Sequence, residues 1–121
     1  MFENKLGEME LRFAEMIWAI APVESGELVR RCAAAFEWKK STTYTMLRRL
    51  CERGLFENCG GTVEVRKTKE EYLSMQSEVF VDEIFHGSLP KFLAAFASNR
   101  ILDDQEIDAL QKMIDDYRGG K

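Results

Sequence analysis

Hydroxyl and cationic side chains share one face of a predicted helix that begins near Ser41. At about 100° per residue, this face carries the hydroxyls of Ser41 and Thr45 first and the charged groups of Arg48, Arg49 and Glu52 after them, with Thr42 and Tyr44 at its edges. Hydroxyl, guanidinium and ammonium groups all hydrogen-bond to the phosphates and base edges of DNA. The pattern therefore predicts an interface for double-stranded DNA.

The predicted interface extends beyond this helix to cations before and after it. We assign base readout to Thr42, Tyr44 and Thr45, and phosphate binding mainly to the lysines and arginines. The complete predicted set is Lys39, Lys40, Ser41, Thr42, Tyr44, Thr45, Arg48, Arg49, Arg66 and Lys67. A second interpretation of Arg49, an intramolecular ion pair with Glu10 or Glu52, stays open.

The charge of the chain is divided unevenly along its length. The formal net charge is −4, but residues 28–69 carry ten basic and four acidic side chains, whereas residues 70–121 carry five basic and eleven acidic ones. Such asymmetry favours an anionic partner for the middle segment and a different role for the acidic remainder. A solvated face of lysine and arginine is the alternative explanation of the basic segment.

Groups that could support catalysis or metal binding are few. The three cysteines, Cys32, Cys51 and Cys59, show no C-x-x-C spacing, and His86 is the single histidine. This pattern predicts neither a zinc site nor a disulfide framework. No nucleophile–base arrangement and no glycine-rich phosphate loop is recognisable, so we expect no enzyme activity and no cofactor. Cys32 and Cys51 are expected in the core, Cys59 in a turn and His86 at a helix end.

Apolar spacing predicts the elements that position the basic segment. A first helix spans roughly residues 8 to 20, a second is capped by Ser25 and ends near Phe36, and a third is capped by Ser41 and ends at Gly54. Residues 55–58 and 63–67 predict two strands joined by a turn at Gly60-Gly61. Three helices followed by a β-hairpin describe a winged helix-turn-helix head, assigned to residues 1–68.

The last third of the chain predicts three further helices with surplus apolar surface. A capping box at Thr68 to Glu71 opens the fourth helix, Ser88 starts the fifth and Asp103 opens the sixth. The fold class is therefore mainly α with a small β-hairpin, and residues 69–121 form a helical dimerisation region. The predicted dimer contacts are Phe80, Ile84, Phe85, Leu110, Ile114 and Tyr117. A tail folded back over the head is the alternative.

The chain length and its apolar runs limit the class of protein. The 121 residues of 14.0 kDa suit one head and a short appended module. The longest apolar run, Met16 to Val23, is far shorter than the roughly 20 residues of a membrane-spanning helix, and the N-terminus has no signal-peptide pattern. We expect no membrane partner and a location in the cytoplasm.

Residues spread along most of the chain also match a known pattern. They are Leu6, Glu10, Ile17 and Trp18, then Glu37-Trp38, then Thr42, Thr45, Arg49, Leu50 and Gly54, then residues 69–72, 80–87 and 102–110. In order and spacing they resemble the bacterial penicillinase and methicillin-resistance repressors and the related copper-transport repressors. The resemblance implies a homodimeric repressor whose winged heads bind a palindromic operator and whose C-terminal helices form the dimer.

The chain departs from that family at several positions. Members often carry Ser-Pro-Lys where this chain has Lys39 to Ser41, and a basic residue where it has Tyr44. The resemblance implies a regulatory protease as a further partner, which in β-lactam-responsive members cuts an Asn-Phe bond; the matching pair here is Ala95-Phe96. Residues 115–121 lack the cysteine-rich metal site of the copper-responsive members.

Two functions of different classes follow. The first is sequence-specific DNA binding by a dimeric repressor. The second is a winged-helix module that binds protein without specific DNA binding, which the acidic tail and the modest overall charge would suit. The operator, the regulated genes and the inducing signal are left open.

Overall fold

The computed structural model describes residues 5–119. Its elements in chain order are α1 (Glu8–Ile20), β1 (Val23–Glu24), α2 (Ser25–Phe36), α3 (Lys40–Glu52), β2 (Phe56–Cys59), β3 (Thr62–Val65), α4 (Lys69–Phe85), α5 (Leu89–Ser98) and α6 (Asp104–Gly119). The predicted fold class, mainly helical with a winged head, is confirmed. The two-residue strand β1 is an addition that the sequence did not indicate, because two residues show no period.

The head is built around apolar side chains that recur at helical spacing. Phe13, Ile17, Leu28 and Leu50 are each fully buried, and they come from α1, α2 and α3. Burial of such side chains stabilises a head of this size by about 1.5–3 kcal/mol each. Trp18 contributes from the periphery, with its ring centroid 5.5 Å from that of Phe56.

The three strands form an antiparallel sheet in the order β1-β3-β2. Cys59 pairs with Thr62 across a two-residue turn, and Gly60 and Gly61 both adopt positive φ, at 60° and 99°. Residues with a Cβ adopt positive φ only at a cost in conformational energy, so the two glycines permit the tight turn. Cys59 therefore ends β2 instead of lying in the turn.

Two predicted helix caps were wrong by one or two residues. Ser25 is the first residue of α2, preceded by Glu24 as N-cap, and the Ser25 backbone N–H donates to Gly61 O of the hairpin at 2.8 Å. Ser41 is the second residue of α3, whose N-cap is Lys39. The first turn of α3 is closed by the Thr43 N–H, which donates to Lys39 O at 3.1 Å.

The start of α4 belongs to the core of the head. The predicted capping box is confirmed, since Thr68 and Glu71 exchange two hydrogen bonds of 2.9 and 3.0 Å. One turn later, Tyr72 is 4% exposed, and its hydroxyl accepts the Leu6 N–H at 3.1 Å. The core of the head therefore includes Tyr72, which lies beyond residue 68, the predicted end of the head.

The chain divides within α4 into two compact units, one ending at Phe80 and the other beginning at Val81. In the second unit, Ser88 caps α5 by accepting the Lys91 N–H at 3.1 Å. Asp103 caps α6 by accepting the Glu106 N–H at 2.8 Å. His86 follows α4 with a φ of 54°, as expected of a residue at a helix end.

Over residues 5–119, no helix has the length and apolar character that crossing a membrane requires.

Candidate nucleic-acid interface

Helix α3 has one buried face and one exposed face. Thr43, Leu47 and Leu50 are buried against α1 and α2. The hydroxyl of Thr43, which enters the core, donates to Lys39 O at 3.4 Å. The opposite face is exposed and carries the predicted contacts Ser41, Thr42, Thr45, Arg48 and Arg49. The apolar period of α3 thus places its hydroxyls and guanidinium groups in solvent.

The turn between α2 and α3 is held by aromatic packing. Glu37 ends α2 with a left-handed φ of 58°. Trp38 follows, and its ring packs 5.2 Å from that of Phe13 and 4.9 Å from that of Phe36, centroid to centroid. The anchored turn fixes the positions of Lys39, the N-cap of α3, and of Lys40, its first residue. Both lysines are exposed.

Tyr44 joins the two helices of the helix-turn-helix. The side chain is half-buried, and its hydroxyl donates to Ser25 Oγ at 3.0 Å. This bond ties the first turn of α2 to the second turn of α3. Tyr44 therefore positions α3, a role that the sequence did not indicate, in addition to lying at the edge of its exposed face.

Among residues 5–119, no carboxylate forms an ion pair with the exposed cations of α3. Glu10, a candidate partner of Arg49, pairs instead with Arg53 at 3.6 Å. Arg49 donates to Met46 Sδ at 3.7 Å, and among residues 5–119 it forms no ion pair with Glu10 or Glu52. The charge of Arg49 remains available to a phosphate.

An open groove of about 640 Å³ separates α3 from the hairpin. Its floor is apolar and includes Leu47 and Phe56, while Arg48 lies on the α3 side and Asn58 and Arg66 on the hairpin side. The groove thus has the Arg48 guanidinium on its α3 side and Arg66, together with Glu57, on its hairpin side.

The hairpin carries an acidic pair that the sequence analysis did not single out. Glu57 and Glu64 lie directly opposite each other in the β2–β3 register, and Glu57 forms an ion pair with Arg66. The hydrogen bond and the charge of Glu57 raise the pKa of Arg66. Glu64 and Arg66 are two residues apart in the sequence, and this spacing indicated that their side chains lie on the same face of the hairpin. Lys67 lies beside the hairpin, half-buried, with its backbone oxygen accepting the Trp18 Nε1–H at 2.9 Å.

The thiols of Cys32, Cys51 and Cys59 are all free. Cys32 is buried in the core, as predicted. Cys51 is half-buried and packs against the core. Burial raises the pKa of both thiols. Within residues 5–119, no group of three cysteine, histidine or carboxylate side chains is arranged to hold a metal ion.

The predicted dimer contacts lie on α4 and α6 with substantial exposure in the single chain. Phe80, Phe85 and Leu110 are half-buried, whereas Ile84, Ile114 and Tyr117 are 41, 51 and 91% exposed. Within the second unit, α5 and α6 also border an apolar groove of about 570 Å³, lined in part by Leu93, Leu102, Leu110 and Met113.

Comparison with known proteins gave two findings. The sequence model of a family described as Penicillinase repressor matches residues 6–116. The chain is also 24% identical over 121 residues to the Penicillinase repressor of Bacillus licheniformis, an alignment that covers 97% of this chain and 94% of that protein.

Proposed function

The chain belongs to the penicillinase repressor family, a family of transcriptional repressors and not of enzymes, and from this premise we propose that it is a sequence-specific DNA-binding repressor acting as a homodimer on a palindromic operator. The observation that carries the proposal is the exposed face of α3. Hydroxyls lie at its start, and the guanidinium groups of Arg48 and Arg49, which form no ion pair within residues 5–119, follow on a helix fixed by Trp38 and Tyr44. Binding in the cytoplasm would block transcription by excluding polymerase from the operator.

In this proposal α3 lies in the major groove. Thr42, Tyr44 and Thr45 read base edges; the Tyr44 oxygen, although it donates to Ser25, keeps lone pairs that can accept from a base amino group. Phosphates are bound by Lys39, Lys40, Arg48, Arg49 and Lys67, and Ser41 adds a hydroxyl beside them. Arg66 is already paired with Glu57.

The dimer is proposed to form through the helices after the head. In the second unit, Ile107, Met113 and Ile114 are each about half-exposed or more, at 47, 66 and 51%, and Met113 also lines the α5–α6 groove. Exposed apolar surface of this kind is typical of a subunit interface. A second copy of the same helices is the occupant we propose.

A salt titration distinguishes DNA binding from the rival function, a protein-binding winged helix. Wild-type protein is titrated against a labelled random duplex at several salt concentrations. The logarithm of the binding constant should fall linearly with the logarithm of salt concentration. A protein-binding module should give no salt-sensitive association, and that result would reject the proposal. Selection of bound sequences from a random duplex pool then yields the operator.

Lys40→Ala and Tyr44→Ala should weaken DNA binding in different ways. Loss of the Lys40 ammonium should weaken all duplexes about equally and reduce the salt slope by roughly one unit. Loss of the Tyr44 ring should relax sequence preference by about 1–3 kcal/mol of discrimination. Binding constants for operator and random duplex, each measured at several salt concentrations, check both expectations. Ser25→Ala, which removes the bond from Tyr44 but keeps the Tyr44 hydroxyl, is the control for that bond. Equal losses on both duplexes for Tyr44→Ala would contradict base readout.

The two half-sites of the operator should lie one helical turn apart, about 10 base pairs centre to centre. Two heads related by a two-fold axis reach successive major grooves on one side of B-DNA. Insertion of half a turn between the half-sites should reduce affinity at least about tenfold, because one head loses its site while the other keeps it. Unchanged affinity in a mobility-shift titration would indicate flexibly tethered heads or a bound monomer.

Release of the operator is proposed to follow damage to α5. This helix, which contains Ala95-Phe96, lies between the α4 and α6 segments that carry the proposed dimer contacts. A protease or any other agent that cuts or distorts residues 89–99 would disconnect the two heads. The family's Asn-Phe pair is absent here, so a sensor protease would need a different sequence preference.

A further inference from the structure

The outer face of the hairpin carries more negative than positive charge. Glu57 and Glu64 are directly opposite each other on neighbouring strands, and both are exposed. Like charges in this position repel. Arg66, two residues after Glu64, points to the same side and pairs with Glu57. The three side chains together leave one uncompensated negative charge on a surface next to the proposed phosphate-binding helix.

The two arginines that border the α3–hairpin groove differ in their partners. Arg48, on α3, is exposed, and no carboxylate within residues 5–119 forms an ion pair with it. Arg66, across the groove, is bound to Glu57 through Nη1, with 60% of its own side chain and 47% of the Glu57 side chain exposed. The pair is therefore accessible to water and to DNA, and a phosphate can replace Glu57 as the partner of Arg66.

We propose that Glu57 is a specificity-determining residue, which holds Arg66 in an intramolecular ion pair and so withholds it from the phosphates of duplexes that α3 does not recognise. The inference rests on the proposed function. The cations of α3 then provide the sequence-independent attraction to phosphates, and the hairpin arginine does not contribute to this attraction. Sequence-independent attraction raises binding to every competing site, so its reduction improves discrimination.

The size of the effect follows from the exposure of the pair. An exposed ion pair lowers the equilibrium constant for transfer of Arg66 from Glu57 to a phosphate by a factor of about two to five. A phosphate contact that is prevented removes about 0.9 from the slope of log K against log salt. Release of Arg66 should therefore be detectable in both the binding constant and the salt slope.

The test is a double-mutant cycle on full-length protein with one random duplex as probe. The variants are wild type, Glu57→Gln, Arg66→Gln and the double variant, each titrated at four or more salt concentrations. Glu57→Gln should tighten binding about two- to fivefold and steepen the slope by about 0.9. Arg66→Gln alone should leave the slope unchanged, and in the double variant the gain should disappear.

Glu64→Gln is the matched control. It removes one negative charge from the same face and the same register position without touching the pair, so it should not steepen the slope. An equal gain from Glu64→Gln, persisting when Arg66 is also replaced, would reduce the effect to net charge and overturn the inference.

Two further outcomes also decide the matter. If Arg66→Gln alone flattens the slope by about one while Glu57→Gln changes nothing, Arg66 already binds phosphate and the inference is wrong, although DNA binding stands. A wild-type chain without salt-sensitive binding would remove the proposed function together with the inference. Circular dichroism of each variant verifies that the fold is retained.

Discussion

A chain that ends at Phe80 should be monomeric and should bind the selected operator about 10²- to 10⁴-fold more weakly than the full chain. The shortened chain lacks the helices through which the two heads of the proposed dimer are connected. In the full chain, once one head is bound, this connection holds the other head at a high effective concentration near the second half-site. Binding to a single half-site should persist, because α3 and the hairpin are intact.

The structure determines where this cut belongs. A cut near Lys69, at the boundary suggested by the sequence, would remove the Tyr72 ring from the core and its hydroxyl from the Leu6 N–H. A buried donor without a partner costs about 1–3 kcal/mol. A cut after Phe80 keeps Tyr72 and follows the boundary between the two compact units, so weakened DNA binding would not be confused with unfolding.

Sedimentation of the shortened chain measures its oligomeric state directly. A full-length variant, Ile114→Asp, should give the same monomeric state, because Ile114 is 51% exposed in the single chain and a charge there opposes burial against a partner. Lys112→Ala is its control, since Lys112 lies on the same helix in an exposed pair with Asp116 and should leave the dimer intact. A shortened chain that remains a tight dimer with full operator affinity would place the interface in the head.

Phe56→Ala should lower the free energy of unfolding of the head by about 3–5 kcal/mol. Phe56 is 2% exposed and lies on β2 with its ring against Trp18, so truncation leaves a cavity at the junction of sheet and helices. A loss of this size is a large part of the stability of a small domain. DNA binding should therefore fall at physiological temperature because less of the protein is folded.

The registered partner of Phe56 supplies the control for this variant. Val65 lies directly opposite on β3 but is 37% exposed, so Val65→Ala should cost well under half as much. The midpoint of urea denaturation, followed by circular dichroism, measures both. Equal costs for the two variants would mean that strand pairing, and not burial, determines the contribution of Phe56.

Local sequence patterns predicted most of the elements but fewer of the contacts. The bounds of α1 and the end of α2 at Phe36 follow from apolar spacing, and the capping box at Thr68 follows from residue types three positions apart. The starts of α2 and α3 were misplaced because Ser25 and Ser41 lie within the first turn of each helix, and the N-caps, Glu24 and Lys39, form no side-chain cap hydrogen bond. The exposed face of α3 was predictable, since burial of Thr43, Leu47 and Leu50 leaves one side for solvent.

The sequence by itself determined that this protein has a winged helix-turn-helix head with a basic, hydroxyl-bearing third helix and an acidic helical tail. These features depend on periods of two and 3.6 residues and on charge along the chain, and both are local properties. Only the tertiary structure decided that Tyr72 completes the head, that Tyr44 holds Ser25 and that Glu57 engages Arg66. These contacts join residues 66, 19 and 9 positions apart, and no local period encodes which side chains meet when helices and strands pack.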